Sequence, residues 1–300
     1  MARWQHILYS VESGVAHIVL NRPEKLNALG MGPGSNRVEL AEAMEQADAD
    51  PEVGAILISA AGRAFCAGGD LAGVPRINSP FGNKAFVDDL DAVHARIRRV
   101  GKPSVAAVHG LVLGGGVGLT ALFDFVIAAE DTRFGLIEGR IGHPGATEIV
   151  PLVGAAWAKY LMLTGELIDA RRAAAIGLVL EIEEPDELLA RCTDLARRLA
   201  RMPRAAVILN KASIDSMLEA AGRGAGRSIG RVHDVLTRSM THEATAPDGR
   251  RFEEILEKEG MQSLKAARDA QYGEPWLRPL KPPSGHAEGR AAGSPEGRER

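Results

Sequence analysis

Apolar and polar positions change rhythm along this chain in a way that separates strands from helices. Val15 to Leu20 carries its apolar positions in strand-like alternation, and Val53 to Ser59 and Ser104 to Val108 are short apolar runs suited to strands buried on both faces. Phe125 to Ala129 predicts another strand. Between them the period lengthens. Ser35 is placed to cap a helix that carries Val38, Ala41, Met44 and Ala47 inward and stops at Asp50-Pro51. Phe86, Leu90, Val93 and Ile97 share one face of a second helix, broken by Lys102-Pro103. From Ala146 onward the pattern is mostly helical, with Asp169 and Asp186 as candidate N-caps and Pro203 at a helix start. Alternating strands and helices followed by a helical portion define an α/β chain.

Two glycine-rich segments interrupt this pattern just after strands. The first is Gly62-Arg-Ala-Phe-Cys-Ala-Gly-Gly-Asp70-Leu71, and the second is His109-Gly-Leu-Val-Leu-Gly-Gly-Gly-Val-Gly118. Glycines leave backbone N–H groups uncovered, and a helix beginning after such a turn adds the positive end of its dipole. Paired, the two turns suit stabilisation of negative charge on an oxygen; singly, either would serve equally as a tight connection. Asp70 reads as an N-cap of the following helix.

Composition narrows the class. With 300 residues the chain can bury a large core, and 36 basic against 39 acidic residues, net charge −3, leave no basic surface suited to nucleic acid. Cys66 and Cys192 have no metal-ligand or disulfide spacing, and no run approaches the roughly 20 apolar residues of a membrane span. The expectation is a cytoplasmic enzyme with no metal, no membrane and no nucleic-acid partner. Residues 274–300, rich in Pro, Gly, Arg and Glu, predict a disordered tail, with Trp276 and Leu277 as candidates to dock before it frays.

Six ordered landmarks resemble the crotonase (enoyl-CoA hydratase/isomerase) superfamily over most of the chain. They are Asn21-Arg-Pro-Glu-Lys-Leu-Asn27-Ala28-Leu29, Ala64 to Leu71, Gly114-Gly-Gly116, Phe134-Gly135 with Glu138, Leu163-Thr-Gly165, and Asp169-Ala170 through Val179. The resemblance implies a crotonase-like (ClpP/crotonase) α/β fold of repeated ββα units with a helical C-terminal region for trimerisation. Residues 1–200 would be the acyl-CoA-binding core, 201–273 the oligomerising helices of a homotrimer or dimer of trimers, and 274–300 the tail. It also implies an acyl-CoA thioester substrate and no cofactor beyond the coenzyme A of that substrate.

Residue by residue, the resemblance places the oxyanion donors at the N–H groups of Gly69 and Gly115 and the general acid/base at Glu138. Coenzyme A would meet backbone at Ala28, Ala67 and Leu71, with Arg22 and Lys25 as phosphate contacts, and Lys265 or Arg268 would reach a neighbouring subunit's ligand. The sequence departs from the pattern at Gly118, where hydratases of the family carry a first glutamate, and in the shortened loop Gly142-His-Pro-Gly-Ala-Thr-Glu148. One carboxylate suits shuttling a proton between C2 and C4 of an enoyl thioester better than orienting a water, so isomerisation is expected over hydration. His143 is a candidate auxiliary acid/base; His94 and His109 read as structural, and Asp124 as a hydrogen-bonded structural carboxylate. Two rival motifs fail on context. Gly116-Val-Gly-Leu-Thr-Ala121 lacks the acidic strand end of a dinucleotide site, and no strand leads into Gly226-Arg-Ser-Ile-Gly230 as a nucleophile elbow requires. A non-catalytic acyl-CoA binder remains the alternative from another class.

Overall fold

The structure, a computed structural model, describes residues 3–280 apart from residues 76, 78, 144, 241, 242 and 279. Its elements run β1 (Ile7–Glu12), β2 (Val15–Leu20), α1 (Asn36–Ala49), β3 (Ala55–Ala60), α2 (Pro80–Arg98), β4 (Ser104–Val108), β5 (Leu111–Leu113), α3 (Gly115–Thr120), β6 (Phe125–Ala129) and β7 (Arg133–Gly135). Then come α4 (Val150–Thr164), β8 (Ile168–Asp169), α5 (Ala170–Ala175), β9 (Glu181–Glu183), α6 (Leu188–Ala200), α7 (Arg204–Ala220), α8 (Arg223–Ser239) and α9 (Phe252–Asp269). The strand–strand–helix unit recurs as β1-β2-α1 and β4-β5-α3, as expected.

Six strands form the main sheet in the order β1-β2-β3-β4-β6-β9, parallel except for the β1-β2 hairpin. Because side chains alternate across a strand, β2, β3, β4 and β6 each feed two cores. Ile18, Ile56, Ile58, Ala106, Val108 and Ala128 face the larger one, with Leu40 and Met44 of α1. Val15, Ala55, Leu57, Val105, Ala107 and Ile127 face the other, covered by Leu188, Cys192 and Ala196 of α6. The near-unbroken apolar runs of β3 and β4 follow from burial on both sides.

A smaller sheet, β5-β7-β8, was not anticipated from the sequence, because strands of two or three residues are too short to show a period. Bridges Ala64↔Gly110 and Cys66↔Val112 tie the first glycine segment to its edge, so the two glycine segments are backbone-paired neighbours. That pairing creates the site.

Several local expectations are corrected. Asp70 does not cap the following element, which is only a single 3-10 turn, Leu71–Gly73; its carboxylate instead takes Nη2 of Arg22 at 2.8 Å. Asp186 does not cap α6, whose N-cap position is Glu187 with no side-chain bond, whereas Asp169 does cap α5 through Arg172 N–H at 2.7 Å. On α2 the fully buried positions are Asn83, Val87 and Ile97, while Phe86 is only half-buried, beneath the guanidinium of Arg238. On α1, Val38 is half-buried and its neighbour Arg37 is buried.

Ser35 does accept from Val38 N–H, and Asp124 accepts from Ser104 N–H and Oγ–H and from Lys211. At the start of the expected tail, Trp276 N–H donates to Glu166 Oε2 at 3.1 Å, and Leu277 packs on the main core. The rest of the expected tail, 281–300, lies outside the described residues. Among the described residues, no helix is long and apolar enough to cross a membrane.

Candidate active site

Two backbone N–H groups come together where the glycine segments meet. Gly69 bridges to Leu29 in parallel register, and Leu29 N–H donates to Gly68 O at 2.7 Å, which holds the first segment extended. Gly115 opens α3, after Gly114 turns the chain at φ 50° with its own N–H on Gly135 O at 2.8 Å. A Cβ at Gly115 would lie 3.6 Å from the nitrogen of Gly69. Neither N–H makes a hydrogen bond among the described residues. Side chains are absent here for a steric reason: a Cβ at Gly116 would strike Cys66 O at 2.4 Å, and one at Gly68 would strike Leu113 O at 2.9 Å.

Glu138 stands beside this pair. It lies in the 3-10 turn Ile137–Ile141 that follows β7, and a Cβ at Gly114 would sit 3.0 Å from its Oε2. That oxygen is buried and has no hydrogen-bond partner. Burial, with a smaller push from Asp234 on α8, raises the Glu138 pKa to about 7, against the opposing pull of its own backbone N–H. A half-ionised carboxyl near neutrality can both take and return a proton.

The position where a second carboxylate was expected to be missing is physically closed. A Cβ at Gly118 would meet the Cβ of Ala146 at 2.9 Å. Asp234, which sequence reasoning missed, comes nearer to supplying negative charge. It follows Gly230 by one helical turn on α8, and a Cβ at Gly230 would touch Thr147 Oγ1 at 3.2 Å, so this face of α8 lies on the turn Thr147–Ile149. Burial and then Glu148 raise the Asp234 pKa to about 6, against the pull of Arg238. No local signal marks an Asp almost 100 positions away as a charge felt at Glu138.

The other expected residues divide. Ala28, Ala67 and Leu71 flank the donors: Ala28 O accepts from Arg22 and from Asn36 Nδ2, Ala67 N–H donates to Leu26 O, and Leu71 packs under α9. Arg22 is engaged internally by Asp70 and Ala28 O, whereas Lys25 is exposed on the 3-10 turn Pro23–Lys25. His143 donates its backbone N–H to Glu138 O at 3.0 Å; burial lowers its pKa, and the charges its ring feels are those of Arg238 and Glu253. Arg268 pairs with Asp269, and Lys265 is exposed on α9, which packs on this chain's own Leu71 and Ile141. The Gly226 to Gly230 motif lies inside α8, with no strand before it. Among the described residues no group of His, Cys, Asp and Glu side chains is arranged to hold a metal ion.

Two N–H groups without hydrogen-bond partners thus lie beside one buried carboxyl. Residues 10–272 match the family model described as enoyl-CoA hydratase/isomerase, and the chain belongs to that family. It is 31% identical to a probable enoyl-CoA hydratase of Rhizobium meliloti, with 90% of this chain and 98% of that one covered. It is 32% identical to a crotonyl-CoA hydratase of Syntrophomonas wolfei over the same shares of the two chains. In three dimensions it resembles an enoyl-CoA hydratase/isomerase from Xanthobacter autotrophicus Py2 (TM-score 0.78, 32% identity, 90% of this chain and 99% of that one). The TM-score is 0.79 for an enoyl-CoA hydratase from Mycobacterium smegmatis at 29% identity, covering 89% and 94% of the two chains. The fold is the crotonase fold.

Proposed function

We propose that the protein acts on enoyl-CoA thioesters through an enolate, with Glu138 as its single acid/base, and that it favours moving a double bond over adding water. The observation that carries this reading is the unpartnered, buried Oε2 of Glu138 beside two unpaired N–H groups. A thioester carbonyl oxygen set between Gly69 and Gly115 accepts both hydrogen bonds. Ionised Glu138 removes a proton from C2 of a 3-enoyl thioester, the negative charge moves onto the carbonyl oxygen, and the two N–H groups stabilise it. Glu138 then returns the proton at C4, leaving the 2-enoyl isomer. Each preorganised donor is worth about 3 kcal/mol of barrier. Coenzyme A enters as part of the substrate, along Ala28, Ala67 and Leu71, with Lys25 free to meet a phosphate.

Hydration is the second reading, supported by the hydratase names of the relatives and by the charge of Asp234 felt at Glu138. Assembly into trimers is part of the proposal. Leu209, Ile214 and Met217 of α7 and Ile229, Val232 and Leu236 of α8 are all more than half exposed, an apolar surface that a second copy would cover.

Matched 2-enoyl-CoA and 3-enoyl-CoA thioesters, given to the wild type and to Glu138→Gln, separate the readings. Glu138-dependent conversion of the 3-enoyl substrate alone supports isomerisation. Dominant water addition replaces it with hydration, and no reaction despite tight binding of the thioester replaces both with a binding role.

A further inference from the structure

Between the start of α1 and the body of α2, three basic side chains that the chemistry at Glu138 does not use each bury a nitrogen. Arg37 is 5% exposed, its Nε is buried without a partner, and no carboxylate among the described residues pairs with it. The group whose charge would favour it is the Cys66 thiol, but burial raises that thiol to about 11, so it is neutral near pH 7. On α2, Nε2 of His94 and Nη1 of Arg98 are likewise buried and unpartnered; Nη2 of Arg98 donates to Asp91 Oδ1 at 3.0 Å. His94 feels the charges of both Arg37 and Arg98, and α1 packs against α2. Buried charge ordinarily has a partner, and buried N–H groups ordinarily have acceptors. Arg98 has a carboxylate partner in Asp91, but Arg37 has none, and Arg37 Nε, His94 Nε2 and Arg98 Nη1 lack acceptors.

The cluster also adjoins the acyl site. Asn36, next to Arg37, accepts from Gly30 N–H at 2.8 Å and donates to Ala28 O at 3.1 Å, holding the segment whose Leu29 bridges to Gly69. Cys66, the thiol that Arg37 feels, lies three residues before Gly69, and a Cβ at Gly116 would meet its Sγ at 3.1 Å. The cluster therefore borders the segments that carry Gly69 and Gly115.

We propose that Arg37, His94 and Arg98 form an anion subsite at the far end of the acyl pocket, and that the acyl group of the substrate ends in a carboxylate. The substrate class is the coenzyme A thioester of an unsaturated dicarboxylic acid. The Arg37 guanidinium offers a planar fork matched to a carboxylate, and His94, kept neutral by burial between two cations, adds an N–H donor. A plain hydrocarbon tail would leave Arg37 Nε, His94 Nε2 and Arg98 Nη1 unsatisfied, as they are now. The inference rests on the thioester reading given above.

The test measures binding by the full chain, by calorimetry, of two saturated diacid thioesters, glutaryl-CoA and adipyl-CoA, against their monoacid matches, pentanoyl-CoA and hexanoyl-CoA. Saturated probes separate binding from chemistry. At least one diacid should bind roughly 10- to 100-fold more tightly than its match, the range expected for hydrogen bonds to a charged group. Arg37→Met should abolish that preference while leaving monoacid affinity within about threefold, and Arg37→Lys should keep part of it. His94→Gln, farther from the oxyanion segment, serves as a second variant and should weaken the preference. Equal binding of diacids and monoacids by the wild type overturns the subsite alone. A preference that survives Arg37→Met overturns it too, since the anion is then read elsewhere. A preference that depends on Arg37, with no turnover of the unsaturated thioesters, upholds the subsite and overturns the isomerase reading. Failure to bind any of the four overturns both.

Discussion

The Cβ of Ala146 occupies the space in front of Gly118: a Cβ added at Gly118 would lie 2.9 Å away. The chain therefore lacks both a carboxylate at position 118 and the room for one. Gly118→Glu alone should lose about 1–3 kcal/mol of stability through overpacking and gain no hydration. Gly118→Glu combined with Ala146→Gly should recover melting temperature and add water to 2-enoyl-CoA faster than the wild type. Melting curves and product analysis on the three proteins check this, and a hydration gain in the single variant would contradict it.

Glu138→Gln should cut turnover by at least about 100-fold, the lower end of what a positioned acid/base contributes, with affinity for a saturated acyl-CoA nearly unchanged. The same substitution should act on stability with a defined sign. Folded Glu138 titrates at about 7 against an ordinary 4.5, so the native state holds a proton that the unfolded chain releases between those values. Stability from this group is fully present below pH 4.5 and lost as pH rises through 7. Glu138→Gln should therefore match the wild type in denaturant melts at pH 4 and exceed it by about 3 kcal/mol at pH 8.

Asp234→Asn removes a negative charge that raises the Glu138 pKa. The acid limb of the pH–rate profile, which reports ionisation of Glu138, should move to lower pH. Arg238 lies on the same helix and lowers the Asp234 pKa, so Arg238→Gln should raise Asp234 instead. An acid limb that stays in place in Asp234→Asn would separate Asp234 from the site.

Gly69 and Gly115 should respond unequally. A Cβ at Gly69 meets only the flexible end of Met31 at 3.4 Å, so Gly69→Ala should keep activity within about tenfold. A side chain at Gly115 grows between the two donors, and Gly115→Val should lose about 3 kcal/mol of barrier stabilisation, a hundredfold or more in kcat/KM. Steady-state kinetics of the two variants decide it, and equal effects would argue against a shared oxyanion site.

How much was legible in advance depended on the range of the interaction. β2, β3, β4 and β6 were readable because a strand buried on one or both faces leaves its period in the sequence, and Ser35 and Asp169 because a cap bonds within three residues. Asp70 was misread as a cap by the same local rule. Its carboxylate goes to Arg22, 48 positions away, and nothing near Asp70 records that.

By itself the sequence determined the alternation of strands and helices, the two glycine segments and the presence of Glu138, since each rests on backbone sterics, side-chain period or the order of landmarks along the chain. Only the tertiary structure decided that Gly69 and Gly115 come together with their N–H groups unpaired, that Ala146 closes the space at Gly118, and that the charge of Asp234 is felt at Glu138. It also decided that Arg37, on a helix chosen by its apolar period, is buried without a counter-charge. Proton affinity and unsatisfied donors are properties of what surrounds a group. Those surroundings are assembled from distant segments only when the sheets and helices close on one another.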